Sequence, residues 1–269
     1  MSRAIKIRLP SRQVCKMSIS HLIIARKRLL IFWFLLVLLL VAVLKSDVLP
    51  EDACPGDKVV VLDPGHGGHD SGARGPSGLT EKSVTLQLAQ EIKKALSGRY
   101  AVYLTRTGDY YLDIDERTAV ANHKRANLFI SLHTCGCFRH KGHGTAIFYY
   151  SGSTGQNFHP LSQKDDISEA GEKLCYWDYS QSPHIRKSKL LATLVHQELV
   201  KNPKLVDKGI LHSPCLVLRG ADMPAILIEV GPFNPSAEEN RFRGGAFISP
   251  VAEAIARGIC EFFERTGSA

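Results

Sequence analysis

No aspartate or glutamate occurs before Asp47, although the chain carries 26 acidic residues in all. Nine of its 34 Lys and Arg fall within residues 1–45, so the remainder holds 25 basic against 26 acidic residues and carries −1. The formal net charge of +8 is therefore an N-terminal property. This excludes a broad nucleic-acid-binding surface on the main part of the chain. No Gly-Lys-Ser/Thr follows a glycine-rich turn, which excludes a phosphate loop. In Gly65-His66-Gly67-Gly68-His69-Asp70 an aspartate stands where a dinucleotide fingerprint needs its third glycine. There is no internal repeat. With 44% hydrophobic and 22% charged residues, the composition is that of a globular protein of one or two domains.

The N-terminal excess has a reason. Arg26-Lys27-Arg28 precedes residues 29–44, an unbroken apolar run of 16 residues closed by Lys45. No polar face interrupts it, which argues against a buried core helix. A bilayer crossing needs roughly 17–25 residues, and a signal-peptide core about 7–15. Both readings keep the basic segment 1–28 in the cytoplasm and export the chain beyond residue 46. Val41-Ala42-Val43 is a weak cleavage site, so an uncleaved signal anchor over 29–45, seated in the inner membrane, is expected. Residues 46–57, with Pro50 and Pro55, read as a linker. Cys15 precedes the apolar run. Cys54, Cys135, Cys137, Cys175, Cys215 and Cys260 come after it, an even number that suits export without dictating disulfide pairs.

Beyond the linker, strand and helix signals alternate. Apolar runs predict strands at 59–62, 101–104, 128–132, 146–150, 216–218 and 225–230. Helical periodicity predicts helices over 81–97 (Val84, Leu88, Ile92 and Ala95 on one face), 115–124, 185–200 and 251–263. Residues 151–183 are polar and long for a connection in a compact domain. The alternation predicts one α/β domain over 58–265, with helices covering a mostly parallel sheet.

Three strand ends carry chemistry. His66 follows the first strand, His133 ends the third, and Glu229 lies near the end of the last. Ligands bind at the carboxyl ends of strands in such sheets. Glu81 opens the first helix, just past the glycine-rich loop. A catalytic zinc takes three protein ligands and keeps one open position. Two histidines and two glutamates at one sheet edge are enough for metal-assisted amide hydrolysis, with one carboxylate left as a base. His69, His140 and His143 remain alternatives by spacing, and Glu81 alone would also favour a helix N-terminus. Glu229 within Ala225-Ile226-Leu227-Ile228-Glu229-Val230 is costly to bury without a purpose or partner.

These residues resemble a known family, the zinc-dependent N-acetylmuramoyl-L-alanine amidases of the type-3 class. The motifs occur in its order. Leu62-Asp63-Pro64-Gly65-His66-Gly67-Gly68 comes first, with Gly72-Ala73 and Glu81-Lys82. Leu104-Thr105-Arg106 with Asp109, Glu116-Arg117-Thr118 and Ala121-Asn122 come next. Leu128-Phe129-Ile130-Ser131-Leu132-His133 and Met223-Pro224-Ala225-Ile226-Leu227-Ile228-Glu229-Val230-Gly231 complete the set. The resemblance implies a six-stranded, mostly parallel sheet flanked by helices, with His66, Glu81 and His133 as zinc ligands and Glu229 as the catalytic glutamate. It implies cleavage of the amide between N-acetylmuramic acid and L-alanine in peptidoglycan, during wall remodelling or cell separation in the bacterial envelope.

Two stretches depart from the family pattern: Thr134-Cys135-Gly136-Cys137 after His133, and Pro232-Phe233-Asn234-Pro235 after Glu229. Neither touches an implied ligand, although the Cys135 thiolate could compete for zinc. They keep open a second class of function, a non-catalytic peptidoglycan-binding or scaffold protein retaining the fold. Some relatives carry an inhibitory helix where 151–183 lies, displaced by an activator protein. A longer surface loop is the simpler reading of that insertion.

Overall fold

β-Branched residues dominate Val59-Val60-Val61-Leu62, and such residues suit a strand covered on both faces. In a computed structural model, which describes residues 33, 58–135, 144–151, 180–232, 242 and 245–267, this stretch opens β1 (Val59–Pro64). Next come α1 (Glu81–Leu96), β2 (Ala101–Leu104), α2 (Ile114–His123), β3 (Leu128–Cys135) and β4 (Thr145–Tyr150). After a 3-10 turn at Ser182–His184 come α3 (Ile185–Leu199), β5 (Asp207–Ser213), the short α4 (Leu216–Arg219), β6 (Ala225–Pro232) and α5 (Ile248–Thr266).

The six strands form one sheet in the order β2-β1-β3-β6-β4-β5. β2, β1, β3 and β6 run parallel. β4 is antiparallel to β6 and parallel to β5, so the sheet is mixed, with four of its five pairings parallel. Alternation along each strand sorts side chains onto two faces. Val60, Leu62, Ile130, Leu132, Ile226 and Ile228 pack under α1, α3 and α5. Val61, Phe129, Phe148, Ala225 and Leu227 face the other way, with Ala121 of α2 and Leu218 of α4. Full burial of each such side chain contributes about 1.5–3 kcal/mol.

Two sequence expectations fail. Residues 216–218 are helical, not a strand. Cys215 and Leu218 are buried while Leu216 is 54% exposed, a spacing of three that suits a helical turn and that a trio of apolar residues is too short to reveal. The fifth strand is instead β5, Asp207-Lys208-Gly209-Ile210-Leu211-His212-Ser213. It lies at the sheet edge, and no residue in it is fully buried, so it carries almost no apolar signal. In α1, Ala95 is exposed and Leu96 takes the buried position.

Several expectations lie outside the described residues: the basic segment 1–28, the apolar segment 29–45 apart from Trp33, the linker 46–57 but not Lys58, most of the insertion (152–179), His140 and His143. The side chains of Cys54, Cys135, Cys137 and Cys175 lie outside them too. Cys215 and Cys260 are free thiols. Among the described residues no helix is long and apolar enough to cross a membrane.

Candidate metal centre

β1 ends on a buried charge. Asp63 is fully buried, and its carboxylate accepts hydrogen bonds from Thr105 Oγ1 (2.6 Å), Ser131 Oγ (2.8 Å) and Arg117 Nη1 (2.9 Å). These partners offset the cost of burying it. Arg117 also donates to the carbonyls of Pro64, His66 and Leu112. A second buried guanidinium, Arg106, donates to the carbonyls of Pro64 and Gly65 from β1's end and of Lys82 from α1. The two arginines thus fix the backbone on which His66 sits.

His66 adopts φ +62°, a left-handed conformation that costs energy in a non-glycine residue and is held by its surroundings. The chain then turns through Gly67 and Gly68 and pairs back on itself, Gly67 with Asp70. This return places Asp70 Oδ2 2.7 Å from His66 Nδ1. The other ring nitrogen, Nε2, lies 3.1 Å from Glu81 Oε2.

Glu81 is the first residue of α1 and is 1% exposed. Its Oε1 accepts from the Thr134 amide (2.9 Å) and lies 3.1 Å from His133 Nδ1. Its Oε2 accepts from the Ala73 amide (3.0 Å). Burial opposes ionisation of Glu81, but the hydrogen bonds and charge of His133 and His66 outweigh it and hold the carboxyl well below its usual range. Burial opposes protonation of His66, and Glu81 with Asp70 overcome it, so that pKa is raised.

The three side chains the sequence singled out therefore converge. One donor atom from each of His66, Glu81 and His133 lies within 4.8 Å of the others. Zinc bound by nitrogen and oxygen at 2.0–2.2 Å in tetrahedral geometry separates its ligands by roughly 3.3 Å. Glu81 approaches His66 through Oε2 and His133 through Oε1, each at 3.1 Å, so two imidazoles and a carboxylate gathered within 4.8 Å form a donor set of the kind zinc takes. Glycine makes room for it. A Cβ on Gly65 would lie 2.5 Å from the His133 ring, and one on Gly72 (φ +61°) 2.6 Å from His66 and 2.7 Å from Glu81 Oε2.

Glu229 is the cross-strand neighbour of His133, on the same face of the sheet. Its Oε1 is buried and has no hydrogen-bond partner among the described residues. Burial, with the negative charge of Glu81, pushes its pKa up to about 7. Cys215 is buried beside it. Desolvation pushes that thiol up to about 11, with the charge of Glu229 adding to the shift, so it stays protonated. His69 is exposed and stacks on Tyr111, ring centroids 4.2 Å apart, away from the donor cluster.

His66 and His133 open onto a cleft of about 400 Å³, also lined by Tyr111, Ile114, Leu216 and Val217. Sequence reading missed Asp70, whose signal was its spacing of four from His66 across two glycines. It also missed that Asp63, Arg106 and Arg117 hold the loop, because the side chains that meet Asp63 and most of the carbonyls that meet the arginines are distant in sequence.

Comparison with known proteins agrees with this arrangement. A family model described as N-acetylmuramoyl-L-alanine amidase (Amidase_3) matches residues 60–261. The chain is 32% identical over 219 residues to the N-acetylmuramoyl-L-alanine amidase AmiC of Escherichia coli (strain CFT073), covering 76% of this chain and 52% of that protein. It is 31% identical over 223 residues to AmiA of Escherichia coli (strain K12), covering 77% of each. The chain thus spans about half the length of the AmiC relative. The catalytic domain of CwlV from Bacillus (Paenibacillus) polymyxa superposes with a TM-score of 0.60 at 30% identity, over 77% of this chain and 98% of that one. A match that runs from β1 into the last helix, on a fold shared at that level, means that this chain belongs to the N-acetylmuramoyl-L-alanine amidase family.

Proposed function

We propose that the protein is a zinc-dependent amidase that cuts the bond between the lactyl group of N-acetylmuramic acid and the L-alanine of the peptide stem in peptidoglycan. The observation that carries this reading is the convergence of His66, Glu81 and His133 beside an unpartnered oxygen of Glu229. The N-acetylmuramoyl-L-alanine amidases among its relatives support the substrate class.

His66, Glu81 and His133 would hold zinc, which when bound polarises the scissile carbonyl and makes water acidic. Asp70 holds Nδ1 of His66 and leaves Nε2 turned toward Glu81, so Nε2 would be the ligand atom. Glu229 Oε1 takes the proton of the attacking water and returns it to the nitrogen of the departing L-alanine, so that one water is consumed and one amide broken. Its burial matches this task, since a carboxyl with a pKa near 7 can both accept and release a proton at neutral pH.

In this reading residues 29–45 act as a signal anchor that exports the 58–265 domain into the envelope and keeps it near the wall by raising its effective concentration. An activator protein acting through 151–183 is the second reading of that insertion, after a longer surface loop.

Digestion of purified peptidoglycan by the zinc-loaded full chain tests the proposal. Release of free peptide stems with an L-alanine amino terminus from intact glycan, lost on chelation, is expected. Cleavage elsewhere in the peptide sinks the assignment of the bond. Co-sedimentation with wall without any release assigns the protein to the scaffold class instead.

A further inference from the structure

The lining of the cleft is of two kinds. His66, Asp70, Arg117 and His133 are polar. The rest is an apolar wall, built chiefly by Tyr111, Leu112 and Ile114, at and before the start of α2, and by Leu216 and Val217 of α4. Among the described residues beyond 58, six large hydrophobic side chains are at least 41% exposed, and three of them, Tyr111, Ile114 and Leu216, belong to this wall. Apolar surface concentrated at one place marks a contact site.

The wall is braced. The Tyr111 ring stacks on His69, and its hydroxyl is tied to Asp113. The backbone beneath packs so closely that a Cβ on Gly68 would lie 2.7 Å from the Tyr111 amide nitrogen. An aromatic face held this way loses little freedom when something stacks on it.

The charge of this wall is neutral to acidic. Arg117 is the one cation among the described lining residues, and Asp63 and three carbonyls already take up its guanidinium. The first turn of α2 carries a capping box of Asp113 and Glu116, with Asp115 beside them, and Arg219 of α4 lies 4.0 Å from Asp115. A carboxylate brought here would meet these acids and, among the described lining residues, no Lys or Arg that is not already paired.

Given the amidase reading, the substrate has two halves of opposite character. The amine side is a peptide bearing carboxylates. The acyl side is a neutral acetamido sugar with apolar C–H faces and methyl groups. We infer that the Tyr111–Ile114–Leu216–Val217 wall receives the acetamido sugar on the acyl side of the scissile amide, with the Tyr111 ring as its platform. The wall thereby sets the direction in which the substrate lies across the metal centre.

Two soluble substrates sharing the same amide test this on the zinc-loaded full chain: a muramoyl-dipeptide, and the lactoyl-dipeptide that lacks the sugar ring. The quantity read is the ratio of their kcat/KM values. Tyr111→Ala and Leu216→Ala should each lower that ratio about tenfold, mainly by raising KM for the sugar-bearing substrate. Tyr111→Phe, which keeps the ring, should retain it. A ratio within twofold of the parent in both alanine variants overturns the inference, as does equal loss on both substrates, which would give the wall to the peptide. If the parent does not cleave the sugar-free compound, KM for the muramoyl-dipeptide alone decides, an unchanged value being the adverse result. Should Tyr111→Ala fail to fold, Leu216→Ala carries the test from a half-exposed position. A parent that cleaves neither substrate sinks the amidase reading itself, whereas an unaltered ratio sinks this inference alone.

Discussion

Nδ1 of His66 and Oδ2 of Asp70 stand 2.7 Å apart across a two-glycine turn. The contact turns Nε2 of the ring toward Glu81 and thereby fixes which nitrogen would bind a metal. Carboxylates in that position raise ligand basicity and orient the ring. Asp70→Asn should therefore weaken zinc binding about 10–100-fold with the fold intact. Competition against a chromogenic chelator measures it, and an affinity within threefold of the parent would contradict the role.

Glu229→Gln preserves shape and removes the base. Turnover should fall about 10²–10⁴-fold while zinc content stays at the parent's level. Steady-state rates paired with metal analysis check both halves. Turnover within tenfold of the parent would remove Glu229 from the mechanism.

Arg117 reaches Asp63 and three backbone carbonyls from a buried position. Arg117→Ala strands the Asp63 charge and should cost about 3–5 kcal/mol, the usual penalty for breaking a buried pair from one side. Urea unfolding reads the loss directly. A cost under about 1 kcal/mol would mean that the loop is held by other contacts.

Glu198 links α3 to α5. Arg257 donates to its Oε2 at 2.8 Å, and Lys201 pairs with its Oε1. The hydrogen bond from Arg257, with that from Lys201, lowers the Glu198 pKa below its ordinary 4.5. A carboxyl depressed in the folded state stabilises the fold above its unfolded pKa and loses that contribution as pH falls through the folded value. Glu198→Gln should be less stable than the parent by about 1 kcal/mol at neutral pH. The two unfolding curves should converge below the carboxylate range. A constant gap from pH 7 to pH 3 would show that the ion pairs contribute nothing.

Sequence reading singled out the side chains that converge at the candidate centre and missed what supports them. His66, His133 and Glu229 were legible because each lies at the end of an apolar run, where strand periodicity makes a polar residue conspicuous. Glu81 was legible from its place at a helix start. β5 was not, because an edge strand with one covered side and a glycine at φ +77° has no hydrophobic rhythm. The reversal of β4 was equally hidden, since apolar alternation is the same in either direction. The buried arginines were visible as motif residues without a role, because a guanidinium that binds carbonyls leaves no pairing pattern in the sequence.

The reversed direction of β4 has a consequence for the insertion after it. Ala146 sits opposite Glu229, while Tyr149 sits opposite Ile226, so the strand leaves the metal end and exits at the other rim of the sheet. The chain re-enters at Gln181, whose side-chain amide donates to the carbonyls of Ala221 and Met223, just before β6 begins. Both roots of the insertion thus stand beyond the amino end of β6, while the loops that carry His66 and Glu81 stand at its carboxyl end. A change at either root therefore acts on the rim of the sheet opposite the one where Asp63, Arg106 and Arg117 hold the His66 loop.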